Sequence, residues 1–407
     1  MPPKSRNSAN LSRPMDKFPF ARRTNWRQEP NALNNALEGL KGRGVDILDL
    51  TSSNPTDCGF DYPEGMLSVL NSSENLQYKP DACGTVKARE AVALYYSRQN
   101  QRILPGDIVL TASTSEAYSF LMRLLVNPGE KVLIPRPSYP LFQFLLEIND
   151  AHVDYYPLSY NGHEWRLDHQ ALESLVDAQT RAIILVNPNN PTGSYISRAE
   201  LNYLNEFCRK HQMAIISDEV FYEYSLTPAD TVSCCGNQQV LTFVLGGLSK
   251  TLALPQMKCS WILASGPRPI LQGSLSRLEI IADTYLSVNT PVQNALGEWL
   301  KQASYIQGQI MPRVRDNYQW LSGHIMQHAP SLSLLALQGG WYATLRIPAL
   351  KTEEEWVLEF LKEDHVLVYP GYFFDFESEA FIVLSLLPPA GVFQDAAGRV
   401  LRRLAKI

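Results

Sequence analysis

The 407-residue chain is 45% hydrophobic and 19% charged, enough apolar material for a large core and more than a single core usually serves, so a second domain is expected. A formal net charge of -5 and a pI near 5.9 leave no basic footprint for nucleic acid, and no apolar run approaches the roughly 20 residues of a membrane span. Six cysteines, at 58, 83, 208, 234, 235 and 259, show neither CxxC pairing nor regular spacing, which argues against a metal site or a disulfide framework and fits a reducing cytoplasm.

The opening "MPPKSRNSANLSRPMDK" is polar with no apolar h-region, so residues 1–17 read as a flexible tail and not as a signal peptide. From about residue 105, short apolar runs alternate with longer helical patterns: "DIVLTA" (107–112), "KVLIP" (131–135), "RAIILVN" (181–187), "MAIISD" (213–218), "LTFVLG" (241–246) and "SWILA" (260–264). Continuous apolar strands separated by helices predict an α/β domain whose mostly parallel sheet is buried on both faces. The division expected is a large domain over 58–310 and a smaller α+β domain over 311–407, joined by an N-terminal arm over 18–57. Beyond 310, "SLSLLALQGGWYATLRI", "HVLVYPGYFF" and "AFIVLSLLPP" read as antiparallel strands between helices.

Open α/β sheets bind ligands at the carboxyl ends of their strands, and several of these strands end in polar residues. Ser113, Thr114 and Ser115 stand where a strand turns into an amphipathic helix, a place that offers hydroxyls and free N–H groups to an anion. "NPNNPTG" (187–193) follows a buried strand and is dense in turn formers, so by itself it is equally a rigid loop. Asp218 directly follows an apolar strand, either as a helix cap or as a charge held for a cation. In "GGLSKTLALPQMKCSW" (246–261) Lys250 and Lys258 are the only charges, and a lysine in such company is costly to bury unless used.

In this order the motifs closely resemble the class I/II aminotransferases, fold-type I enzymes dependent on pyridoxal 5'-phosphate. The resemblance runs from "LDLTSSNPTD" (48–57) through "YKPDACGTVKAREAVALYY" (78–96) and "IPRPSYPLF" (134–142) to "VYPGYFF" (368–374). It implies a seven-stranded, mostly parallel sheet in the large domain. It also implies that Lys250 anchors the cofactor through a Schiff base and moves the substrate proton, and that Asp218 pairs with the pyridine nitrogen. By the same resemblance Asn190 bonds the ring hydroxyl and Tyr139 stacks on the ring, with Phe142 as plain core. Ser113, Thr114, Ser115, Ser249 and Lys258 would cradle the phosphate, Tyr78 would reach the phosphate of a partner subunit in a homodimer, and Ser53 and Asn190 would face the substrate.

Four positions depart from the family pattern. Lys258 stands where arginine is usual, Phe221 where a tyrosine usually bonds the ring hydroxyl, and Ser53 where glycine is usual; Tyr222 is the available alternative tyrosine. In "FIVLSLL" (381–387), Val383 holds the place of the arginine that clamps the substrate carboxylate, so Arg22, Arg23, Arg136 and Arg346 become candidates to replace it, beside hydrogen bonds alone or a substrate without that carboxylate.

The expected activity is therefore transfer of an amino group between an amino acid, apolar or aromatic because no second arginine is evident, and a 2-oxo acid. A lyase, decarboxylase, racemase or amine transaminase on the same scaffold is the alternative. A cofactor-sensing transcription regulator is disfavoured because about 50 residues precede "LTSSNPT" without a helix-turn-helix pattern, and a dead scaffold because Lys250, Asp218 and Asn190 are all present.

Overall fold

The computed structural model describes residues 20–26, 31–227, 231–286, 288–378 and 380–406; the expected tail over 1–17 lies outside them. Fourteen strands occur among the described residues: β1 (Leu48–Asp49), β2 (Ile108–Thr111), β3 (Lys131–Arg136), β4 (His152–Tyr160), β5 (Trp165–Leu167), β6 (Thr180–Val186), β7 (Ala214–Asp218), β8 (Thr242–Gly247), β9 (Ser260–Ser265), β10 (Ser333–Leu334), β11 (Tyr342–Arg346), β12 (Val366–Leu367), β13 (Tyr369–Pro370) and β14 (Phe381–Ser385).

The large sheet runs β2-β9-β8-β7-β6-β3-β4-β5, with parallel pairing from β4 through β3, β6 and β7 to β8. It has eight strands, one more than the expected seven. The hairpin β4–β5 was not legible as apolar runs because "HVDYYPLSY", next to the edge strand β5, is half-exposed and mixes polar with aromatic residues. The six segments read as strands all lie in this sheet, and β2, β6, β7, β8 and β9 are buried almost throughout.

Only β9 and β5 run against the others, so β2, β8, β7, β6 and β3 end along one edge. Thr111, Gly247, Asp218, Val186 and Arg136 are their last residues, which gathers onto that edge side chains drawn from more than a hundred residues of chain. Packing there is close enough to require glycine at Gly246, where a Cβ would lie 2.5 Å from the Tyr96 hydroxyl and inside contact with Trp261 Nε1.

In the C-terminal region β10-β11-β14-β13 form a second, antiparallel sheet, as "SLSLLALQGGWYATLRI" and "AFIVLSLLPP" predict. The helix Glu353–Glu363 packs beside it and opens with a capping box, Thr352 and Glu355, written in the sequence as "TEEE". The chain near the N terminus is tied to this sheet. β1 pairs in parallel with β12, and the Ser385 N–H donates to the Leu50 carbonyl at 2.6 Å, so residues 48–53 are carried to the mouth of the crevice.

Candidate active site

Lys250 sits in a four-residue helix, Leu248–Thr251, that begins as β8 ends. Its Nζ lies 4.8 Å from the ring centroid of Trp341 and 5.3 Å from that of Phe221. Loss of hydration lowers the ammonium from its usual range to about 8, and the negative charge of Asp218 opposes part of that drop. Asp218, the last residue of β7, is pushed up to about 6 by burial, against a hydrogen bond from the Val220 N–H at 3.2 Å, another from the Tyr118 hydroxyl at 3.1 Å, and Lys250. Base and acid thus face each other in a place that disfavours the charged form of both.

The helix Thr114–Leu125 starts beside them. Ser113 is its N-cap: the hydroxyl oxygen accepts from the Glu116 N–H at 3.1 Å, and the Ser113 carbonyl takes the Ala117 N–H at 3.0 Å. That leaves the Thr114 and Ser115 N–H groups open at the positive end of a three-turn helix. Ser249 is half-buried next to Lys250, whereas Lys258 is exposed, in the left-handed conformation at φ 50°, with no ion pair among the described residues. Asn190 is nearly buried and its Oδ1 has no partner, while Asn187 at the start of the same loop is fully used: its amide donates to the Val232 carbonyl at 2.8 Å and its Oδ1 accepts from the Ile196 N–H at 3.1 Å. Tyr139 borders both Asp218 and Tyr369, and its hydroxyl is pushed up to about 12 by burial. Phe142 is core, edge-on to Tyr118 at 5.3 Å. Tyr78 is 79% exposed.

The C-terminal sheet supplies the opposite wall. Val383 pairs directly with Thr344 on one side and Tyr369 on the other, and is fully enclosed. Ser53 stands beside the Tyr342 hydroxyl and Thr51 beside the Tyr369 hydroxyl. Burial raises both phenols, so they stay protonated. Of the four candidate arginines, Arg23 is tied to Asp150 on the surface, Arg22 is exposed in a single turn, Arg346 is exposed over the Phe381 ring at 5.6 Å, and Arg136 stacks on Tyr155 at 4.3 Å. Among the described residues, the charges that act on Asp218, Lys250, Tyr139, Tyr342 and Tyr369 are those of Asp218, Lys250 and Asp49. The Tyr222 hydroxyl is pushed up to about 12 by burial, with the Glu219 charge nearby, and its ring packs edge-on to Tyr195 at 5.6 Å.

Residues 45–390 match the family of aminotransferases of class I and II. The chain belongs to this family. The glutamate-pyruvate aminotransferase AlaA of Escherichia coli (strain K12) is 28% identical over 347 residues, covering 83% of this chain and 85% of the relative. The alanine aminotransferase of Mycobacterium tuberculosis (strain ATCC 25618 / H37Rv) is 26% identical over 366 residues, with 86% and 83% covered. The crystal structure of an aminotransferase from Escherichia coli superposes with a TM-score of 0.84 at 25% identity, covering 96% of this chain and 98% of that one. The protein is an aminotransferase, and its family and fold imply pyridoxal 5'-phosphate as cofactor.

The residues of this aminotransferase fit that group. A desolvated carboxylate at Asp218 lacks a full counter-charge, Asn190 Oδ1 is an unpaired buried acceptor, two N–H groups await an anion at Thr114 and Ser115, and Lys250 is an amine that loses its proton near neutrality. Several site residues were not read from the sequence. Tyr118 hides in the helix behind Ser113, and Glu219 beside Asp218 is a buried hub, accepting from the Cys234 N–H at 2.8 Å and the Ser217 hydroxyl at 3.0 Å. Trp341 lies just before β11, Tyr342 opens β11 and Tyr369 opens β13, and none of the three was singled out from the sequence.

Proposed function

We propose that this aminotransferase transfers the amino group of an amino acid with an apolar or aromatic side chain to a 2-oxo acid by a ping-pong cycle. The observation that carries the reading is the half-buried amine of Lys250, facing Asp218 with its pKa drawn down to about 8. Alanine is the first donor to try, supported by the names of the relatives, which speak of alanine, glutamate and pyruvate.

Bound at the edge of the large sheet, pyridoxal 5'-phosphate supplies an aldehyde carbon and an electron-accepting ring. Asp218, kept anionic by Tyr118 and the Val220 N–H, would hold a proton on the ring nitrogen. Asn190 would orient the ring hydroxyl, Tyr139 would cover one ring face, and the Thr114 and Ser115 N–H groups, with Ser113, Ser249 and Lys258, would hold the phosphate. Lys250, freed by the incoming amine, would take the Cα proton on Nζ and deliver it to the former aldehyde carbon, two bonds away across the nitrogen. Ser53 and Asn190 would face the substrate.

We further read the chain as a homodimer with shared sites. Tyr78 and Leu76, exposed by 79% and 89%, serve no group of their own chain's crevice, which supports a role in a partner's. The division into an arm over 18–57, a large domain over 58–310 and a small one over 311–407 is supported by the two separate sheets and by the β1–β12 pairing. The cysteines among the described residues are all unbridged, which supports a reducing compartment such as the cytoplasm, and no described helix is long and apolar enough to cross a membrane.

The test is a single-turnover assay: purified protein loaded with cofactor is mixed with a panel of amino acids and amines, and the cofactor absorbance is followed. Conversion of the bound aldehyde to its amine form by alanine or another apolar amino acid is expected, reversed by a 2-oxo acid. No conversion by any donor would sink the reading, and release of carbon dioxide or ammonia without a keto acceptor would replace it.

A further inference from the structure

We propose that Trp341 is a positioning residue for proton transfer: its indole face receives the ammonium that Lys250 becomes when it takes the substrate Cα proton. The proposal rests on the function given above, in which Lys250 is the base.

Trp341 is wholly buried and its ring centroid lies 4.8 Å from Lys250 Nζ, inside the distance at which a cation and a ring face attract. Phe221, at 5.3 Å, offers a second ring. No hydrogen bond to Nζ exists among the described residues, and the one charge acting on it there is that of Asp218, so the amine head is surrounded by π faces and one carboxylate. The indole cannot turn away. Phe221 packs edge-on to it at 5.1 Å and Tyr224 at 5.0 Å, and the Tyr224 hydroxyl donates to the Lys250 carbonyl at 2.6 Å, so one aromatic cluster holds both the backbone and the head of the lysine.

The chemistry gives this arrangement a direction. When the Cα–H bond breaks, the proton goes to the Nζ lone pair and the bonding electrons stay with carbon, so a neutral amine becomes a cation in a site short of water. Burial opposes that change. A ring quadrupole attracts the ammonium and acts only weakly on the amine, so the contact strengthens along the reaction and lowers the barrier instead of tightening the ground state. Indole is the strongest such face among the side chains.

The experiment uses the full chain loaded with cofactor, with alanine, or the best donor of the panel, carrying hydrogen or deuterium at Cα. W341F keeps a face and should lose no more than about threefold in single-turnover rate, whereas W341M, which fills the space without a face, should lose about tenfold or more, with KM changed less than about twofold. In W341M the primary isotope effect on kcat should rise above that of the parent, because proton transfer has become the slow step. Tryptophan analogues bearing one to four ring fluorines, placed at 341 alone, keep the shape while draining the face, and the rate should fall stepwise with each fluorine. A rate flat across the fluorinated series, or an isotope effect unchanged in W341M, overturns the proposal even if W341M folds poorly, since the analogues preserve packing. A parent enzyme that no donor converts would instead overturn the function on which the proposal rests.

Discussion

Tyr118 donates its hydroxyl to Asp218 Oδ2 at 3.1 Å, from a helix 100 residues earlier in the chain. The bond favours the ionised carboxylate against the burial that lifts Asp218 to about 6. Y118F should therefore raise the Asp218 pKa further and weaken cofactor binding by about tenfold, the equivalent of roughly 1–2 kcal/mol for a hydrogen bond to a charged group. Titration of apoprotein with cofactor, followed by fluorescence, checks this; an affinity within twofold of the parent would show that Tyr118 is only packing.

Lys250 should be the site of covalent attachment. Reduction of the loaded protein with borohydride, followed by digestion and mass spectrometry, should place the added mass on the peptide containing Lys250. K250A should lower the single-turnover rate by at least about a hundredfold, the low end of what a positioned acid–base group contributes.

Glu219 gives stability a defined dependence on pH. Burial raises its pKa from 4.5 to about 7. Between those values the unfolded chain has lost its proton and the folded chain keeps it, so stability is greatest below the lower value and declines as pH rises to the upper one, by on the order of 3 kcal/mol. Above pH 7 this contribution is flat. Urea unfolding from pH 4.5 to 7.5 should show the decline in the parent and a smaller one in E219Q; equal slopes would mean that Glu219 is already ionised in the fold.

Val383 reports whether the crevice has room for a clamp. It is fully enclosed between Thr344 and Tyr369, so V383R buries a guanidinium without a partner and should destabilise the fold by about 3 kcal/mol or more. A V383R protein that unfolds at the parent's urea midpoint and binds amino acids more tightly would show instead that this wall is open.

Gly246 reports on the base of the site. With Trp261 and Tyr96 against it, G246A should cost about 1–3 kcal/mol in urea unfolding, the usual range for overpacking a filled core. A change under about 0.5 kcal/mol would mean that both aromatics move aside freely.

The polar ends of the strands were legible because a buried strand must be apolar: once "MAIISD" and "LTFVLGGLSK" are read as strands, Asp218 and Lys250 stand out at their ends. Val383, in the place where the family resemblance puts a clamping arginine, was legible only through that resemblance. The surroundings of Val383 were not legible, because Tyr369 and Thr344 meet it only through antiparallel pairing, and Tyr342 meets Ser53 only because β1 joins β12.

By itself, then, the sequence determined the α/β class and the strand ends, Asp218 and Lys250 among them, at which polar side chains collect. Those follow from local rules of apolar runs, strand ends and helix starts, whose reach is a few residues. The tertiary structure alone decided that Tyr118 reaches Asp218, that Lys258 is exposed, and that Lys250 is boxed by Trp341 and Phe221. These depend on strand register and on which helix crosses which strand, and such contacts are fixed by the packing of the whole core and not by any stretch of it.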